Sequence, residues 1–177
     1  MRLKPSKMRK LNILKTLIDL SFLFSLLAVA GMTIFVPIYL SGSADEGPLK
    51  INGQEVSAAE WGGKLVIMLG AAGGLFFVYA IYLLRKTVAH FRKREIFHED
   101  VIRYFNAIGK CIITSTLLTH IPLFFYNMLH RNHLGIQIDG GGFDSLLLSI
   151  SLGLFFMVLA EAFKIAKNLK EENELTV

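Results

Sequence analysis

Four apolar runs, each about 20 residues long and separated by charge-rich segments, constrain this chain more than any other feature. They extend from about Leu17 to Leu40, Leu65 to Leu84, Ile108 to Met128 and Ser145 to Phe163. An α-helix needs about 20 mostly apolar residues to cross roughly 30 Å of hydrocarbon. Within hydrocarbon the backbone must satisfy its own hydrogen bonds, which leaves helices as the fitting structure for such runs. Composition points the same way: 53% of residues are hydrophobic and 19% charged, against about 25% charged in an ordinary soluble domain. Mean hydropathy is +0.51. The expected fold is all-α, an integral membrane four-helix bundle forming a single domain over residues 1–177, with a tail over 164–177.

The first run follows a basic leader and contains Ala28-Val29-Ala30, a small-x-small pattern that a signal peptidase could cut. Its apolar character continues through Ile34, Phe35, Val36 and Ile38, past the point where a secretory signal stops. A retained helix is expected. Lys and Arg then orient the chain. The leader carries six, the segment before the second run two, the segment before the third six, the segment before the fourth only Arg131, and the tail Lys164, Lys167 and Lys170. This alternation places both termini and the middle loop in the cytoplasm. The net charge of +5 is thus spent at the ends of apolar runs, where it meets membrane lipids and not nucleic acid.

Between the first two runs, Leu49-Lys50-Ile51-Asn52-Gly53-Gln54-Glu55-Val56 alternates around Asn-Gly, the pair favoured in type I′ turns, so a small outer β-hairpin is expected. Lipid offers helices no hydrophobic drive to associate, and small residues mark where backbones approach. Gly70 and Gly74 in the second run, and Ser145, Ser149 and Gly153 in the fourth, form such stripes. They are read as packing seams within the chain, with a homo-oligomer seam at Gly70 and Gly74 as the alternative.

Ionisable groups inside apolar runs are costly and need a reason. His120 is the deepest, one turn from Thr116 and two residues before Pro122, whose ring removes a helix hydrogen bond. A satisfied neutral histidine is the plain reading; a polar site of His120, Thr116 and Glu161 lining a transport path in an oligomer is the functional one. His130 and His133 are spaced to share a metal, with Asp139 or Asp144 to help. No third ligand is set by spacing, so no metal site is assigned. One cysteine, Cys111, excludes an intrachain disulfide. No phosphate loop, nucleophile elbow or HExxH is present, so neither an enzyme nor a cofactor is expected.

The middle loop reads His90-Phe91-Arg92-Lys93-Arg94-Glu95-Ile96-Phe97-His98-Glu99-Asp100 and leads to Ile108-Gly109, and the tail closes on Glu174-Leu175-Thr176-Val177. With four apolar runs, this resembles the bacterial membrane-protein family known as domain of unknown function 2975 across essentially the whole chain. A longer outer segment, 41–63, departs from that pattern. The resemblance implies an inner-membrane protein often encoded beside a small helix-turn-helix regulator, and supplies no substrate or active site. The expected function is non-enzymatic: a cytoplasmic face of Arg92, Lys93, Arg94, Phe97, Leu175, Thr176 and Val177 that engages a regulatory partner.

Overall fold

The computed structural model describes residues 5–41, 49–51, 54–57, 59–93, 95–130 and 143–175. Four helices dominate: α1 (Pro5–Ser41), α2 (Trp61–Arg92), α3 (Glu99–His130) and α4 (Phe143–Leu175). All four are long and apolar enough to cross a membrane. Each also outruns its apolar stretch. The 32 residues of α2 rise about 48 Å, and the surplus lies mainly at the basic ends, where Lys, Arg, Glu and Ala sustain a helix beyond the lipid-soluble part. Helix α3 begins with Glu99 and Asp100 in its first turn, where acids complement the helix dipole. It runs on through Pro122.

Two short strands, β1 (Leu49–Ile51) and β2 (Gln54–Val56), pair antiparallel with Leu49 opposite Val56 and Ile51 opposite Gln54. The Asn52-Gly53 pair between them lies outside the described residues. A three-residue ladder has little stability of its own, and this one is anchored by β2. Val56 is fully buried among Val66, Ile67, Leu123 and Tyr126, with Val36 and Tyr39 of α1 against the same cluster. The Tyr126 hydroxyl accepts the Ser57 amide at 3.2 Å and donates to Glu60 at 3.2 Å, tying the segment after β2 to α3.

The helices form an open row. Backbones approach between α1 and α2, α2 and α3, and α3 and α4, and among the described residues α1 and α4 do not meet. A closed ring of four is therefore not the packing of the single chain. The Asp19 carboxylate joins α1 to α2 through Arg85 Nε at 2.6 Å, and the same guanidinium lies 5.3 Å from the Phe22 ring.

Glycines set the closest approaches, and not all of them belong to the stripes expected from spacing. A Cβ added at Gly73 would lie 2.8 Å from Thr119 Oγ1 and 3.0 Å from the Ser115 carbonyl, so Gly73 carries the α2–α3 contact. Gly70 has nothing within 4 Å of such a Cβ, and Gly74 faces the flexible end of Met32 in α1. The α3–α4 contact is reciprocal. A Cβ on Gly109 would meet the Gly153 carbonyl and Met157, and one on Gly153 would lie 2.6 Å from Ile113 Cγ1. Ser149 is half-buried and Ser145 exposed, so the α4 seam centres on Gly153 and fades toward Ser145. Helix periodicity picks out a stripe of small residues; which stripe a neighbour uses depends on the crossing.

Candidate functional site at the α2–α3 turn

Among the described residues, polar and aromatic side chains gather where α2 hands over to α3. Helix α2 ends by donating the Lys93 amide to the Ala89 carbonyl, and the Glu95 amide returns to the His90 carbonyl at 3.1 Å. This brings the Glu95 side chain to His90, with Nδ1 and Oε2 2.9 Å apart. A carboxylate only accepts, so Nδ1 of His90 carries the proton. His98, before α3, accepts the Asp100 amide on its Nδ1 at 3.2 Å, occupying one of the amides a helix start leaves unsatisfied. The two imidazoles stack, centroids 5.2 Å apart and planes 22° apart. Arg103 closes the group through Asp100 at 2.5 Å.

Beneath the turn lies an aromatic cluster. Phe105 contacts Phe91, Phe156 and Phe163 with ring centroids 5.5 to 6.0 Å apart. Phe97 of the turn reaches Phe163 of α4 at 6.2 Å. Lys167 of α4 lies 3.9 Å from Glu99 of α3 and 3.7 Å from Glu171 on its own helix. Exposed ion pairs contribute little each, and the aromatic burial is what fastens turn and α4 together. Aromatic pairs typically add about 0.5–1.5 kcal/mol beyond their buried area. Arg92 and Lys93 are exposed. Leu175 lies at the exposed end of α4. Arg94, Thr176 and Val177 lie outside the residues whose side chains are described.

The intramembrane residues singled out by sequence do not converge. Thr116 is buried and donates to the Ile112 carbonyl of its own helix at 2.8 Å. Half-buried His120 lies seven residues after Ile113 and eleven after Gly109, on the stripe of α3 that meets α4. Glu161 is exposed and pairs with Lys164 at 3.8 Å, far along α4 from the level of His120. The His130 side chain, His133, Asp139 and Asp144 lie outside the described side chains. The sequence pattern does not link His90 to Glu95 or Tyr126 to Glu60. The first pair spans a helix end and the second spans 66 positions, and neither falls on a helical repeat.

A family model described as protein of unknown function (DUF2975) matches residues 29–177, which takes in the turn, the aromatic cluster and α4. The chain belongs to the DUF2975 family. No curated protein and no solved structure matches it. Membership agrees with the resemblance carried by the middle loop and the tail, and with four membrane-length helices. It assigns no chemistry to the turn.

Proposed function

We propose that this DUF2975 protein is a multi-pass protein of the bacterial inner membrane, with both termini in the cytoplasm and the β1–β2 ladder on the outer side. Its α2–α3 turn and the cytoplasmic part of α4 serve as a non-enzymatic docking platform for a regulatory protein. One observation carries this reading. The turn is held against α4 by Phe97 on Phe163 and by Lys167 beside Glu99, so residues 66 and 68 positions apart in the chain present one surface. Beyond that surface α4 continues to Leu175, carrying exposed Leu169 and Leu175. A partner can engage basic Arg92 and Lys93 on the turn together with apolar positions on the overhang, a combination that sets orientation as well as affinity.

The test is capture in mild detergent. The full chain is expected to retain a stoichiometric cytoplasmic partner, and a chain ending after Leu169 is expected to lose it while purifying and melting normally. Retention of every partner by the shortened chain would overturn the platform.

A further inference from the structure

From the exposed face of α3 we infer a binding site for one anionic phospholipid of the cytoplasmic leaflet, its phosphate held by Lys110, Arg103 and Lys86. This face adjoins the proposed partner platform at Arg103, which also pairs with Asp100 of the turn. Arg103, Asn106 and Lys110 follow one another at helical spacing and are all exposed, and Leu117, Ile121 and Phe124 continue the same stripe as exposed apolar residues. One strip of helix is thus cationic at its basic end and apolar along the rest, which is the complement of a lipid with a charged head and an acyl chain.

Lys110 is the decisive residue. It lies seven residues, about 10 Å of helix rise, inside Arg103, and it pairs with no carboxylate among the described residues. Glu161, the acid on α4 that could have served it, pairs with Lys164 instead. An ammonium at that depth is costly without a counter-ion, and its stem can extend toward the interface to reach one. At the boundary of α2 and α3, Lys86 of α2 stands over the Tyr82 ring at 4.7 Å and over Tyr104 of α3 at 5.8 Å. Tyr104 follows Arg103 on α3, so the rings hold a second cation at nearly the depth of Arg103, about 100° round the helix from it. Tyr79, 6.2 Å from Tyr82, extends this aromatic wall. Tyrosines placed this way match an interface where one end is apolar and the other wet. A soluble anion would use the cations and leave the apolar strip idle; a phospholipid uses both.

The test is native mass spectrometry of the purified full chain, titrated with phosphatidylglycerol against phosphatidylcholine. The wild-type protein is expected to prefer phosphatidylglycerol. Lys110→Gln is expected to reduce that preference about fivefold, the scale of one cation near a lipid headgroup. Lys110→Arg should retain it, and Arg9→Gln, an equal charge change on α1, should leave it unaltered. An unchanged preference in Lys110→Gln, or an equal fall in Arg9→Gln, would overturn the site. Displacement of the lipid by millimolar inorganic phosphate would also overturn it, by assigning the cations to a free anion. Should Lys110→Gln fail to fold, Lys86→Gln reads the same site with the same expected fall, and no change there overturns it equally.

Discussion

Gly109 and Gly153 show how much one missing side chain can decide. Each lets the backbone of its helix approach the other, and a Cβ at Gly109 would lie 2.6 Å from Met157 Cγ as well as against the Gly153 carbonyl. Gly109→Ala must therefore separate α3 from α4 or displace Met157, with an expected loss of about 1–3 kcal/mol. Gly70→Ala, with nothing within 4 Å of the new methyl, is expected to change stability by about 0.5 kcal/mol or less. Thermal unfolding of the two variants in the same detergent checks the contrast, and equal midpoints would contradict it. The presence of glycine in these helices was plain in the sequence. Its use was not, because Gly70, Gly73 and Gly74 lie within two turns of one helix and face three different surroundings. Only the neighbour distinguishes them.

Among the elements, the β1–β2 ladder depends most on others. The ladder has three residues per strand, too few to persist alone, and it is anchored by Val56 and by the Tyr126 hydroxyl that receives the Ser57 amide. Tyr126→Phe keeps the ring in its apolar cluster and removes both hydroxyl bonds. The expected cost is about 1–3 kcal/mol, with faster amide exchange at Ser57 than in the wild type. Unchanged exchange there would show that the bond is not formed. The alternation around Asn52-Gly53 made paired strands legible in the sequence. The anchor was not, since Tyr126 sits in a different helix, 69 residues from Ser57. Asp19 is a parallel case: its pairing with Arg85, 66 residues away, appears only when α1 lies on α2.

For the whole molecule, the excess of Lys and Arg in the leader, middle loop and tail predicts which ends face the cytoplasm. With Cys111 as the one native thiol, a Cys111→Ala background permits single-site labelling. Lys93→Cys and Lys170→Cys, both exposed positions, are expected to react with a membrane-impermeant maleimide only after the inner face is opened. Exposed Ala59→Cys is expected to react once the outer membrane alone is breached. The reverse pattern would invert the protein.

The amino-acid sequence by itself determined that four helices form and where each can enter a membrane, because transfer of about 20 apolar residues into hydrocarbon is a local property that needs no neighbour. Charge between the runs supplied the expected orientation, and the loop and tail motifs pointed to the family. The tertiary structure decided which faces meet. It put Gly73 and Gly109 into the contacts, opened the row between α1 and α4, turned Glu161 to Lys164 and left Lys110 on an exposed face without a carboxylate. Those outcomes depend on crossings and depths between helices, and a repeat of 3.6 residues records which side of one helix is small or polar without recording what will stand against it.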